Sequence, residues 1–160
     1  MNKSIKIYRL ALGIVIVFLL ATVLVTGCSL KKASSETGVI SDINMSTGVD
    51  NNSRPINPTT VFPTDAAGFY CSFKLSGFPV GAKLEAKWIY VGGDPNAEAI
   101  TGKNAVIETQ PATIEKEGQG YTATVYAGPG IPDYRWPKGD YKVVISVDGM
   151  EKASTTFKVQ

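Results

Sequence analysis

The chain has 160 residues, 44% of them hydrophobic and 19% charged, a composition that suits one modest globular domain. It contains no histidine, which excludes a Ser-His-Asp triad, a histidine general base and the commonest zinc sites. Its 16 Lys and Arg barely exceed its 14 Asp and Glu, so the cation excess needed to displace counterions is missing and no nucleic-acid partner is expected.

Residues 1–27 read as an address. Lys3, Lys6 and Arg9 precede an apolar run from Leu10 to Val25, and small residues follow, the three parts of a secretion signal. As a helix the run would span about 24 Å, short of a hydrocarbon core of about 30 Å, but Thr26, Gly27 and Cys28 nearly close the gap. Length alone therefore leaves an uncleaved anchor open. Val25-Thr26-Gly27-Cys28 resembles a bacterial lipobox, with an aliphatic residue and two small ones before the cysteine. The resemblance implies that residues 1–27 are a removed lipoprotein signal peptide and that Cys28 is the lipid-attachment site and mature N-terminus. The rest would then be held outside the cytoplasmic membrane, since two acyl chains anchor stably where one does not. Losing the three leader bases takes Lys and Arg from 16 to 13 against 14 acids, a nearly neutral mature chain. Ser29 stands where an inner-membrane retention signal has Asp, so in a two-membrane host the outer membrane is expected.

Residues 28–60 are poor in aromatics and rich in Ser, Thr, Asn, Gly and Asp, so they read as a flexible polar tether. Asp42, Asn44 and Ser46 alternate as calcium ligands do. Gly48 falls one place late, however, and Ser53 stands where a bidentate Glu is needed. Lys31 and Lys32 lie where they could touch anionic headgroups.

A folded part is expected over residues 61–160. Phe69, Cys71, Phe73 and Leu75 alternate with polar neighbours, and Leu84, Ala86, Trp88 and Tyr90 repeat the pattern. Gly92-Gly93-Asp94-Pro95-Asn96 opens a loop to about Asn104, with short strands at Ala105 to Thr109 and Thr113 to Ile114. Tyr121 to Ala127 reads as a strand whose buried face is undecided, because Tyr121, Ala123 and Val125 compete with Tyr126. Tyr141, Val143, Ile145 and Val147 then pair with Ala153, Thr155, Phe157 and Val159 across Asp148-Gly149, a strong hairpin signal.

About seven strands and no convincing amphipathic helix indicate an all-β, two-sheet sandwich. The run Trp136-Pro137-Lys138-Gly139-Asp140-Tyr141-Lys142-Val143 resembles the approach to strand F of immunoglobulin-like or fibronectin type III-like domains. That resemblance implies that Tyr141 is the corner tyrosine, Cys71 the first disulfide position and Trp88 the core tryptophan. Val143 departs from the pattern, standing where the second cysteine would be. The likeness covers about 100 residues and implies architecture rather than activity.

Cys71 has neither a histidine nor, once Cys28 is acylated, a second cysteine to work with, so it reads as an inert core side chain. Asp65, Glu85, Glu98, Glu108 and Asp133 leave carboxylate chemistry open on paper, but no pattern pairs them. No catalytic residue, metal site or cofactor is expected. Recognition remains, and Gly128 to Lys138 offers Tyr134, Arg135 and Trp136, residue types enriched at hot spots. Trp136 also suits a plug over the core, and the Gly92 to Asn104 loop is a second surface. The expectation is a lipid-anchored, non-catalytic module binding a protein or an envelope polysaccharide. A structural spacer in an envelope complex is the alternative, and a carboxylate-dependent hydrolase a more distant one.

Overall fold

The computed structural model describes residues 38–117, 119–130 and 133–160. The expected leader, Cys28, Lys31 and Lys32 lie outside the described residues. The described residues form nine strands and one short helix: β1 (Val39–Val49), β2 (Pro55–Pro58), β3 (Val61–Phe62), β4 (Gly68–Ser76), β5 (Lys83–Gly92), α1 (Pro95–Thr101), β6 (Ala105–Thr113), β7 (Gln119–Ala127), β8 (Gly139–Val147) and β9 (Met150–Val159). One sheet runs β2-β1-β4-β7 and the other β3-β9-β8-β5-β6. All pairings are antiparallel except β3 with β9, so the chain switches sheets between β2 and β3. The result is the all-β, two-sheet sandwich that the alternating runs imply.

Alternation decides which side chains meet between the sheets. Phe69, Cys71, Phe73 and Leu75 of β4 are buried, as are Leu84, Ala86, Trp88 and Tyr90 of β5 and Tyr141, Val143, Ile145 and Val147 of β8. Each large apolar side chain so buried contributes about 1.5–3 kcal/mol of transfer free energy. Phe69 sits among aromatic rings, its centroid 4.6 Å from Trp136, 4.8 Å from Phe157 and 5.0 Å from Phe62. Tyr141 stacks on Phe157 at 5.1 Å. The Asp148-Gly149 turn has both residues at positive φ, 49° and 81°, as a two-residue hairpin turn requires. Asp148 also accepts a hydrogen bond at Oδ1 from the Lys83 amide, tying the hairpin to β5.

The polar tether over residues 28–60 is corrected from Val39 onward, since β1 and β2 occupy that stretch. Met45 is buried, and Ile40 and Ile43 pack on the core. The hidden reason is a bulge. Ile40 pairs with Leu75 and Met45 with Cys71, so five steps along β1 match four along β4. The extra residue lies between Ser41 and Asn44, where Asp42 takes φ 53°, and it breaks the period of two. With Met45 the one large side chain fully buried and Ser, Asp, Asn and Thr around it, the segment looks like linker.

Two smaller corrections concern the edge of the second sheet. The expected loop from Gly92 to Asn104 contains α1, capped by Asp94, whose Oδ1 accepts from the Asn96 amide at 2.9 Å and whose next residue is Pro95. The short strands at 105–109 and 113–114 are one strand, β6, running through Pro111. Proline is tolerated there because β6 is an edge strand with a free side.

Candidate functional site

β4 begins and β7 ends at the same pole of the sandwich, Gly68 pairing with Ala127. Three connections gather there: residues 63–67, the α1 segment, and the described parts of the 128–138 connection, residues 128–130 and 133–138. Trp136 fastens two of them. Its side chain is only 3% exposed, its Nε1 donates to the Ala66 carbonyl at 2.7 Å, and its amide donates to the Thr64 carbonyl at 2.7 Å. Its ring meets Phe69 at 4.6 Å and Tyr126 at 5.0 Å. Trp136 is therefore corrected as a binding residue: it closes the end of the core and cannot reach a partner. Tyr134 and Arg135 are left outside. Tyr134 stands edge-on to Trp136 at 5.2 Å with 37% of its surface exposed, and burial raises its phenol above the usual tyrosine range. Arg135 is exposed, its Nη1 donating to the Tyr134 carbonyl at 3.0 Å.

The second surface lies at the same pole, which the sequence did not reveal. Tyr90 is the clip. Its hydroxyl accepts from the Asp94 amide at 2.7 Å and donates to the Lys138 carbonyl at 3.2 Å, joining the start of α1 to the end of the 128–138 loop. The backbones touch as well. A Cβ on Gly139, whose φ is 140°, would lie 2.2 Å from the Gly92 carbonyl oxygen, so only glycine fits. Glu98 completes the corner, accepting from the Gly93 amide at 2.8 Å and pairing with Lys103 at 3.5 Å. Ile100 projects from α1 with 86% of its surface exposed. The pole thus presents Tyr134, Arg135 and Ile100 on a frame of buried aromatics and backbone hydrogen bonds.

Several of the remaining sequence candidates are buried or take part in internal bonds. Cys71 is fully buried and free, and desolvation pushes its thiol up to about 12. Trp88 is buried, its Nε1 donating to Thr124 Oγ1 at 3.4 Å. The Tyr141 hydroxyl donates to the Pro137 carbonyl at 2.7 Å, four residues upstream. Asp42, from the calcium-like alternation, accepts from the Tyr121 hydroxyl and from Asn44, and these bonds hold its carboxyl below the usual range. Ser46 Oγ donates to the Gly48 carbonyl at 2.8 Å. Glu85 pairs with Lys87 at 2.9 Å.

No protein-family model matches the chain, and no curated protein does. Solved structures do. An immunoglobulin-like protein from Pseudomonas aeruginosa aligns with a TM-score of 0.51 at 16% identity, over 80% of this chain and 99% of that one. The alkylpurine DNA glycosylase AlkC from Pseudomonas fluorescens, solved bound to DNA containing an abasic site analogue, aligns with 0.50 at 15% identity over 77% of this chain. This chain spans only 30% of that glycosylase's length. A CARDB domain from Pyrococcus furiosus aligns with 0.40 at 10% identity. At these identities the likeness defines the fold alone, an immunoglobulin-like β-sandwich.

Proposed function

We propose that this chain is a lipid-anchored, extracytoplasmic, non-catalytic recognition module whose contact surface is the pole bearing Tyr134, Arg135 and Ile100, and that its partner is a protein. The observation that carries the reading is the seating of the Tyr134 ring edge-on against the buried Trp136, with Arg135 held to the Tyr134 carbonyl beside it. Binding hot spots favour Tyr and Arg set on rigid, desolvated surroundings. The exposed aliphatic side chain of Ile100 on the same pole favours a protein over a polysaccharide, whose hydroxyl-rich surface offers little to an isoleucine.

The direction of the chain supports the same reading. β1 starts beside the end of β4, Val39 opposite Ser76, at the pole away from Gly68. The nine residues of β4 separate the two ends by about 30 Å. The described chain therefore begins at the pole opposite the one that carries Tyr134 and Arg135.

The test is capture from membranes crosslinked in cells, comparing the wild type with Tyr134→Ala, Arg135→Ala and Ile100→Ser. A protein recovered by the wild type and lost with these variants supports the proposal. Equal recovery by all four would move the contact elsewhere and favour the spacer reading, while retention on envelope polysaccharide alone would change the partner class. Mass spectrometry of the membrane-extracted chain tests the anchor, with an acylated N-terminal Cys28 expected and an intact Met1 overturning it.

A further inference from the structure

Among the described residues four strands lie at sheet edges: β2 and β7 in one sheet, β3 and β6 in the other. Exposed edges invite pairing with other chains, and proteins usually blunt them with proline, charge, bulges or brevity. β2 has proline at both ends, β3 has two residues, and β6 carries Pro111, Glu108 and a register shift against β5. β7 has none of these devices. Its nine residues, Gln-Gly-Tyr-Thr-Ala-Thr-Val-Tyr-Ala, hold no charge and no proline, and its register with β4 is unbroken over all nine pairs.

The hydrogen-bonding parity of the free side is fixed. The Gly128 amide donates to the Ala67 carbonyl, one step beyond the Gly68–Ala127 pair. Alternate residues therefore turn to β4, namely Tyr126, Thr124 and Thr122, while the N–H and C=O groups of Tyr121, Ala123 and Val125 point away from it. The Val125 carbonyl bears this out, accepting at 2.7 Å from Gln110 Nε2, which reaches over from β6 of the opposite sheet.

We propose that the free edge of β7 pairs with β7 of a second copy of this chain, antiparallel and centred on Ala123. Two-fold symmetry about Ala123 sets Tyr121 opposite Val125 of the other copy and Ala123 opposite itself, and these are the residues whose backbone groups face outward. Every donor on that stretch meets an acceptor, with the Val125 carbonyl using its second lone pair beside Gln110. The side chains match too. On one face tyrosine meets valine, on the other Thr122 meets Thr124 of the copy, both favourable cross-strand pairs, and no like charges oppose each other. The two four-stranded sheets become one sheet of eight. Because the strands are antiparallel, the two recognition poles lie at opposite ends of the assembly.

The full chain in detergent tests this by sedimentation, with every variant on the same background so that association through other segments cancels. The wild type is expected to self-associate. Ala123→Lys places two ammonium groups face to face at the symmetry axis, and should weaken the dimer about tenfold or more while leaving the circular dichroism spectrum unchanged. In a Cys28→Ser background, Ala123→Cys should form a symmetric disulfide on oxidation. Paired Cα atoms there lie about 5.5 Å apart, inside the range of about 4.4–6.8 Å that a disulfide accepts. A wild type that stays monomeric, or a dimer that neither yields to Ala123→Lys nor crosslinks through Ala123→Cys, overturns the pairing. A monomer that instead binds an extended segment of another protein at β7 overturns it as well.

Discussion

The Tyr141 hydroxyl donates to the carbonyl of Pro137, 2.7 Å away, bracing the turn that leads from Trp136 into β8. The bond is part-buried and Tyr141 itself only 2% exposed, so removing the hydroxyl leaves a carbonyl without its partner. Tyr141→Phe is expected to lower stability by about 1–2 kcal/mol. Urea midpoints at matched m values check this, and an unchanged midpoint would mean that the turn is held by packing alone.

Trp136 and Tyr134 should separate stability from recognition. Trp136→Ala removes a buried ring and a hydrogen bond to Ala66, and is expected to cost about 3–5 kcal/mol. Tyr134→Ala should cost below about 1 kcal/mol, losing only an edge contact, and Arg135→Ala below about 0.5 kcal/mol. The comparison is thermal unfolding of the three variants in one buffer. A Tyr134→Ala loss as large as that of Trp136→Ala would make Tyr134 part of the core rather than of a surface.

Cys71 should be chemically silent in the folded protein. Burial pushes its thiol up to about 12, so at pH 8 its thiolate fraction is on the order of a thousandfold below that of a free cysteine, before access is considered. Thiol reagents should modify it only after denaturant is added. Rapid native labelling would show that β4 opens far more readily than a central strand should.

Asp42 links the β1 bulge to pH. Its carboxyl is held below the usual range by the Tyr121 hydroxyl first and the Asn44 amide second. A depressed folded-state value means that the stabilisation is present above about pH 4 and disappears as pH falls through the lower folded-state value. Asp42→Asn should therefore flatten the acid end of the stability profile. Parallel slopes for the two proteins below about pH 4 would show that this pair does not couple to folding.

β4, β5 and β8 were legible because every second residue along each is an apolar side chain buried between the sheets, and β9 because Phe157 and Val159 keep that phase beyond the register shift near its start. β1 was not, since its bulge shifts Met45 out of phase with Ile40 and most of the residues around them are Ser, Asp, Asn and Thr. β7 hid its faces for another reason: Tyr121 and Tyr126 lie on opposite sides, one beneath Arg54 at 5.8 Å and the other against Trp88 at 5.8 Å. α1 had its Asp-Pro start, but Ala97 is its one buried residue, too few for a helical period to show. Trp136 could not be assigned from residue type, because the aromatic that plugs a core and the aromatic that grips a partner are the same amino acid. The meeting of the two loops at one pole depends on Tyr90, whose outer atom bonds backbone 48 residues away. No local pattern encodes such a bond.

The Tyr90 clip and the close approach of Gly92 to Gly139 also bear on kinetics. Loops that must be ordered on binding lose conformational entropy, roughly 0.5–1.5 kcal/mol for each mobile side chain immobilised, besides that of the backbone. Here α1 and the base of the 128–138 loop are already joined in the free protein. A partner arriving at this pole would meet a joint already formed during folding, so encounter would not wait for these two segments to come together. Loosening the joint with Tyr90→Phe should leave each exposed side chain chemically intact and still slow association.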